Sequence, residues 1–377
     1  MTRSILVVGA GFAGAVYART LAEAGYAVEV IDRRPHIAGN AYDEAVTTGQ
    51  RVHRYGPHLF HTSNQAVIDW ITRFADFVPH EHRVQALLAD GRAVPLPINR
   101  RTINAVFGLR LATDAAVRDF LRREAVPAAQ PANAAEHLNA QIGPRLTDLF
   151  FRPYTRKMWA LELEELDAAV VKRVPLRTDE EDRYFPAARF QGLPRDGYAA
   201  LFARILDYPG IRVSLGTPFD KAMLAGRAHC FNSMAIDEYF GDAYGPLPYR
   251  SLRFHHAVVD DSYACGDSAQ VNHTDAGRFT REIDWSRLPG HRLHDTGRKT
   301  ITSEEPCDDR DNAMERYYPV KTSDGRFDAV YNRYKELAAQ DGLVSFIGRC
   351  GTYRYLDMHQ VISQSLAGAR AWIAANG

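Results

Sequence analysis

Three glycines and one carboxylate make the plainest chemical statement in this chain. Gly9-Ala-Gly-Phe-Ala-Gly14 follows the apolar run Ser4-Ile-Leu-Val-Val and opens a stretch of helical periodicity over residues 15–24. Gly25, a second apolar run over residues 27–31 and Asp32 come next. The chemistry that needs this arrangement is pyrophosphate binding. Gly9 permits a tight turn, Gly11 lets backbone approach the phosphates, and Gly14 lets a helix pack close on its strand. The helix N-terminus offers free N–H groups and partial positive charge to the anion. Asp32, about 20 residues on, is spaced to accept hydrogen bonds from an adenosine ribose. The pattern specifies a dinucleotide and leaves NAD and FAD both open. His58 and His61, three apart, could begin a metal site, but no third ligand stands at a sensible spacing and no metal is expected.

Those residues need particular elements behind them. Ser4–Val8 is continuous and β-branched, as in a strand buried on both faces. Helical periodicity recurs over residues 64–77 (Val67, Ile68, Trp70, Ile71, Phe74), from about 100 to 150, over 198–206 and over 329–339. Residues 84–88 and 93–98 read as a hairpin around Asp90-Gly91, and 249–320 as short antiparallel strands between Gly, Pro and Asp turns. A strand over 344–347 and a helix from Met358 close the chain.

Composition bounds the setting. The 46 basic and 46 acidic residues among 377 cancel, so no global field draws nucleic acid, and any anion must be caught locally. With 46% hydrophobic and 11% aromatic residues the chain is ordered and globular. No apolar run reaches the roughly 20 residues of a membrane helix, so no membrane insertion is expected. The short run at residues 5–10 feeds into glycines and reads as a strand, not a signal peptide. Cys230, Cys265, Cys307 and Cys350 are scattered, with neither disulfide nor zinc spacing, which points to a reducing cytoplasm.

After Asp32 the chain reads Arg33-Arg-Pro-His-Ile-Ala-Gly-Asn40, which resembles the second motif of flavoproteins with two dinucleotide-binding domains. Those hold FAD extended and buried, so FAD is favoured over NAD. The expected fold class is α/β: a Rossmann-like FAD-binding domain (residues 1–75, 188–243 and 338–377), an inserted helical bundle (100–150), and an antiparallel β-sheet substrate domain (76–99, 151–187 and 244–337).

Four further segments, in order, carry a resemblance to the UDP-galactopyranose mutase family. They are Tyr55-Gly-Pro-His-Leu-Phe-His-Thr62, Tyr154-Thr-Arg-Lys-Met-Trp159, Asp182-Arg-Tyr-Phe185 and Gly348-Arg-Cys-Gly-Thr-Tyr-Arg-Tyr-Leu-Asp-Met-His359. Lys172-Arg-Val-Pro175, Gln191-Gly-Leu-Pro194, Tyr249-Arg-Ser-Leu252, Phe279-Thr-Arg281 and Tyr317-Tyr-Pro-Val320 support it, so it spans nearly the whole chain.

The resemblance implies an isomerase that interconverts pyranose and furanose forms of a nucleotide sugar, UDP-galactopyranose and UDP-galactofuranose in the first instance, without net redox. Reduced FAD is then the covalent catalyst: its N5 attacks the anomeric carbon, the nucleoside diphosphate leaves, and an iminium recloses through another hydroxyl. Arg173 and Arg281 match the catalytic cations on the leaving diphosphate, with His58 and His61 beside the isoalloxazine. Tyr184, Tyr318 and Tyr355 match phosphate contacts, and Tyr317 competes with Tyr318 for its register. Tyr154, Thr155 and Trp159 match the uridine side, and Phe185, His82 and Asn272 further substrate contacts. Cofactor contacts implied are Gly9, Gly11, Phe12, Ala13, Gly14, Asp32, Arg33, Gly39, Asn40, His58, Leu59, Phe219, Arg349, Leu356, Asp357 and Met358. Also implied are closure of a loop at 160–172, NAD(P)H or a flavin reductase as electron source, a homodimer, and a role in cell-wall or polysaccharide biosynthesis.

Several residues depart from the family pattern. Met158 stands where Gln is usual, Ala160 for Gly, Asn232-Ser-Met234 for Thr-Gly-Pro, Glu282-Ile-Asp284 for another sequence, and Arg316 for Pro. These leave the same mechanism on a modified or deoxy nucleotide hexose as an alternative. A flavin amine oxidase-like oxidoreductase is a third reading, against which so many anion-binding residues argue.

Overall fold

The computed structural model describes residues 4–172 and 174–377; the expected catalytic Arg173 lies outside the described residues. Strand Ile5–Val8 sits inside a five-stranded parallel sheet, flanked by Val28–Ile31 and His229–Asn232, with Ile211–Ser214 and Val344–Phe346 at the edges. Parallel sheets need both faces covered. Helix Phe12–Glu23 covers one face together with the C-terminal helix Met358–Asn376, and Ile5, Leu6 and Val7 are fully buried. The first helix starts three residues before the apolar periodicity predicts, because the glycine loop itself supplies the first turn. A Cβ on Gly14 would stand 1.9 Å from the Gly9 carbonyl oxygen, so no other residue lets helix and loop meet.

The second sheet has seven strands, in the order Tyr318–Pro319, Tyr249–Asp260, Arg298–Asp308, Arg281–Asp284, Gln270–His273, Val84–Leu87 and Ala93–Leu96. It is not wholly antiparallel: Gln270–His273 runs parallel to Val84–Leu87. The hairpin at 84–96 arrives from far earlier in the chain, so no tight turn dictates its direction. Two strands are also longer than expected, since the Gly, Pro and Asp residues cluster between them; Tyr249–Asp260 pairs with Arg298–Asp308 from Arg250↔Asp308 to Asp260↔Arg298. A three-stranded sheet joins Phe60–Thr62, Phe190–Pro194 and Phe77–Pro79. Helix Gln65–Ile71 is shorter than the predicted 64–77 because Phe77 is taken into that sheet opposite Pro194.

Helices Arg100–Phe107, Asp114–Glu124 and Ala134–Leu146 are N-capped by Asn99, Thr113 and Asn133, and Arg152–Trp159 follows. Helix Arg326–Ala338 packs Tyr334 among Ile236, Leu247 and Tyr353, on the parallel-sheet side. No helix among the described residues is long and apolar enough to cross a membrane.

Two buried polar networks hold the parts in register. Arg316 is buried, its Nη1 2.9 Å from Asp237 and its Nε 3.0 Å from Asp309, with the guanidinium 5.0 Å from the Tyr249 ring centroid. The second network is a chain of histidines behind residues 56–59. The His58 backbone N–H donates to His53 Nδ1 at 3.0 Å, His53 Nε2 meets His291 Nε2 at 3.0 Å, and His291 Nδ1 meets the Pro289 carbonyl at 3.1 Å. Protons can be assigned only one way along this chain. His53 accepts at Nδ1, so it carries its proton on Nε2 and donates it to His291, which donates from Nδ1. The His58 ring likewise meets the Gly56 carbonyl through Nδ1 at 2.8 Å. Burial pulls His58 and His291 down to about 4 and His53 well below its usual value.

Replacing Arg316 by Ala strands two buried carboxylates and should cost about 3–5 kcal/mol, read as a lower urea midpoint; a wild-type midpoint would show that the network carries no stability. The histidines bind protons in the unfolded chain below 6.5 but stay neutral in the fold down to about 4. Stability is therefore full above 6.5 and falls as pH drops from there through about 4. His291→Gln should flatten that fall, and a urea midpoint of the wild type that is constant across this window contradicts the assignment.

Candidate active site

A cavity of about 810 Å³ is lined by loops that follow strands of the parallel sheet and by strands of the seven-stranded sheet. At one end are Gly11, Phe12 and Ala13 of the glycine loop, with Asn40, Ser233, Gly348 and Arg349. Gly9 has φ +101°, and a Cβ there would stand 2.0 Å from Ser233 Oγ, which donates to the Val8 carbonyl at 2.7 Å. Gly39 comes so close to the loop that its Cβ would lie 3.0 Å from Gly11 Cα. The loop therefore leaves backbone N–H groups and a helix N-terminus unobstructed by side chains, which fits a pyrophosphate. Asp32 is buried behind it, one oxygen accepting from Ala10 N at 2.7 Å and the other from Arg34 N at 2.9 Å.

Six expected cofactor contacts, Gly9, Gly14, Asp32, Arg33, Gly39 and Phe219, sit off the cavity wall. Gly14 is packed inside its helix. Arg33 is exposed, 3.5 Å from Glu315, and the neighbouring Arg34 turns inward to donate to Asn40 Oδ1 at 2.9 Å and cover the Tyr55 ring at 4.2 Å. Phe219 packs in the cluster of Leu6, Val8, Ile31 and Cys230, stacked on Tyr239 at 5.8 Å. Consecutive arginines alternate in exposure, and only the fold decides which points in.

His58, Leu59, His61, Leu356, Asp357 and Met358 line the middle of the cavity. With Nδ1 engaged by Gly56, the His58 ring presents Nε2 as an acceptor. His61 stacks on Phe185 at 3.6 Å and faces His359 at 5.0 Å. His61, Asp357 and His359 bring ligand atoms within 4.8 Å of one another, a partnership the spacing of His58 and His61 does not announce.

The remaining end carries the cation. Arg281 and Glu304 stand opposite each other on adjacent strands, Nε 3.0 Å from the carboxylate, and Arg281 Nη2 donates to the Tyr154 hydroxyl at 3.0 Å. Burial pushes the Glu304 carboxyl up, while Glu304 holds the buried guanidinium firmly charged. Tyr318 stacks on Tyr355 at 5.2 Å, and Arg349 lies 4.8 Å from the Tyr355 ring and 5.1 Å from the Tyr318 ring. Arg349 Nε is buried and finds no hydrogen-bond partner among the described residues, as a site for an acceptor requires. Of the two adjacent tyrosines Tyr318 lines the cavity, whereas Tyr317 is off its wall and packs against Phe254 and Tyr55 at 5.9 and 6.4 Å.

Tyr154, Met158 and Trp159 reach the cavity from helix Arg152–Trp159, but Thr155 is buried off its wall. Tyr184 and Phe185 meet edge to face at 5.0 Å, and His82 lies behind them, pulled down to about 3 by burial. Asn272 shares the wall with Gln270, whose Nε2 donates to Asn272 Oδ1 at 3.0 Å. Sequence reasoning missed Gln270 and Glu304. Gln270 could have been found two residues from Asn272 on one strand face; Glu304 has no local signal. Of the departures from the family pattern, Met158 and Ser233 line the cavity. Arg316 is in its own ion network, Asp284 takes Lys299 Nζ at 2.7 Å, and Glu282 takes the Tyr263 hydroxyl at 3.0 Å. Ala160 has φ +52°, the reason glycine suits that position.

Comparison with known proteins gives this geometry a family. The model of the UDP-galactopyranose mutase family matches residues 149–355, and that of the NAD(P)-binding Rossmann-like domain matches residues 7–74. A dTDP-fucopyranose mutase of Escherichia coli is 34% identical over 99% of this chain and 99% of its own length. A probable UDP-galactopyranose mutase of Klebsiella pneumoniae is 34% identical over 99% of this chain and 95% of its own. A crystal structure of reduced UDP-galactopyranose mutase superposes with a TM-score of 0.77 at 16% identity, covering 99% of this chain and 96% of that one. A putative protoporphyrinogen oxidase from Exiguobacterium reaches 0.70 at 12%, covering 100% and 99%; at such identities the likeness is one of fold alone. With a family match over more than half its length and end-to-end relatives, the chain belongs to the UDP-galactopyranose mutase family of isomerases.

Proposed function

We propose that this cavity converts a nucleotide hexose between its pyranose and furanose forms with reduced FAD bound along the glycine loop. The observation that supports it most is the meeting of Arg281, Tyr154, Tyr318 and Tyr355 in one cavity that ends at a pyrophosphate cradle. When bound, reduced flavin supplies a nucleophile for the anomeric carbon. The chain does the rest. Arg281 offers a desolvated charge to the departing diphosphate, where such donors act most strongly, and Glu304 holds the guanidinium in place. Tyr318 and Tyr355 donate hydroxyls to the same anion. Tyr154 and Trp159 form the nucleoside side, and His82, Phe185 and Asn272 the sugar side. His58 and Arg349 would hold the isoalloxazine, offering an acceptor and a cation. Arg173 is assigned as the second diphosphate cation on its motif alone.

Residues 1–75, 188–243 and 338–377 form the cofactor domain in this reading, 100–150 the helical domain, and 76–99, 151–187 and 244–337 the substrate domain. A homodimer in the cytoplasm, reduced by NAD(P)H or a flavin reductase, completes it. The first substrate reading is UDP-galactopyranose. A second, a deoxy hexose on another nucleotide, is favoured by Met158: a thioether in the cavity wall gives no hydrogen bond where a hydroxyl would want one. The Escherichia coli dTDP-fucopyranose mutase is a relative that acts on such a sugar.

Dithionite-reduced protein incubated with UDP- and dTDP-linked galactose and 6-deoxygalactose should form furanose products without consuming stoichiometric reductant, followed by chromatography. Equal rates with oxidised flavin, or one NAD(P)H used per product, would overturn the mechanism. Arg281→Ala should lower kcat/KM by an amount on the order of 2–4 kcal/mol while flavin stays bound, with Lys restoring part of it. Wild-type kinetics in the alanine variant would remove Arg281 from the site.

A further inference from the structure

Cysteine spacing alone gives no zinc site, but the fold assembles a set of donors from separate segments. Strands Gln270–His273 and Arg281–Asp284 pair with Asn272 opposite Arg281 and Val271 opposite Glu282. Successive pairs face opposite sides of a sheet. Asn272 and Arg281 therefore share one face, and Glu282 belongs to the other. Residues 261–269 form a loop that crosses this second face and is pressed onto it. Asp267 N and Ser268 N both donate to Gln85 Oε1, at 2.7 and 3.2 Å. A Cβ on Gly266 would stand 2.7 Å from that same oxygen and 2.9 Å from Val271 Cγ2, so any larger residue there would have to displace those side chains. The tie delivers Cys265, one residue earlier, to His273 and Glu282. The three donor atoms, a sulfur, an imidazole nitrogen and a carboxylate oxygen, all lie within 4.8 Å of one another. The Tyr263 hydroxyl, 3.0 Å from Glu282 Oε1, closes the group on the loop side.

We propose that Cys265, His273 and Glu282 bind a zinc ion on the back of the hairpin that carries Arg281. The donor chemistry selects the metal. Sulfur with imidazole suits zinc and excludes magnesium and calcium, which take oxygen ligands. Around tetrahedral zinc such donors lie about 3.3–3.9 Å apart, given bonds of about 2.0–2.3 Å. Binding would have to draw the donors in from their present spacing of up to 4.8 Å. Three protein ligands leave one position for water. Binding replaces the thiol proton: the S–H bond breaks, the proton goes to solvent, and a sulfur–zinc bond forms. Bound zinc would pin the 261–269 loop to the strands and brace the hairpin behind Arg281. His273 also borders the cavity, whereas Cys265 and Glu282 do not, and the site does not depend on the reaction proposed there.

The test uses the intact flavin-bound protein with zinc chloride as the probe. Elemental analysis after gel filtration should find about one zinc per chain in the wild type, lost in Cys265→Ser and in Glu282→Gln. Neither residue lines the cavity, so both variants should keep their flavin. Zinc should also slow alkylation of Cys265 by iodoacetamide about tenfold or more, read by peptide mass spectrometry. Zinc bound without protection of Cys265 would assign the ion elsewhere, His61, Asp357 and His359 being the other cluster, and would overturn the proposal. So would unchanged zinc content in both variants, or no zinc retained by the wild type.

Discussion

A guanidinium held out of water must be answered by fixed charge, and the site is arranged around that demand. Arg281 is answered by Glu304, directly opposite on the neighbouring strand, and by the Tyr154 hydroxyl from a helix of another segment. Desolvation works against each ion alone, and their mutual attraction offsets it only while both are present. The strand register, the helix position and the cavity wall therefore depend on one another. An incoming anion finds a cation already charged, already oriented and already stripped of water, which is the condition under which electrostatic stabilisation is strongest.

Another part of the wall is built on neutrality. The histidines behind residues 56–59 are buried together, and two adjacent charged imidazoles there would repel without compensation. A one-way hydrogen-bond chain from the His58 amide through His53 and His291 to the Pro289 carbonyl keeps each ring neutral and fixes its tautomer. Neutral His58 and the cations Arg349 and Arg281 thus line one cavity, and the stacked pairs Tyr318–Tyr355 and His61–Phe185 belong to the same wall.

Most departures from the family pattern are absorbed locally. Arg316 brings its own two carboxylates, Asp284 has Lys299 and Arg287, and Glu282 has Tyr263. Such self-contained networks can change without disturbing chemistry at the cavity. Met158 is different because it stands in the cavity wall itself, where a thioether offers little hydrogen bonding.

What the sequence by itself determined was whatever rests on neighbours along the chain. The glycine loop, its strand and helix, the hairpin at Asp90-Gly91, the closing helix at Met358 and the family motifs are all local patterns, set by backbone conformation and side-chain periodicity. The helical stretches from 100 to 150 were legible from their periodicity for the same reason, and the fold adds Asn99, Thr113 and Asn133 as their caps. Only the tertiary structure decided which of two adjacent residues turns inward: Tyr318 over Tyr317, Arg34 over Arg33. It alone made the parallel pairing of Gln270–His273 with Val84–Leu87, and it alone set Glu304 beside Arg281 and His359 beside His61. Those choices depend on strand register and on contacts between segments distant in the chain. A one-residue change of register sends a side chain to the other face, and no local pattern carries that information.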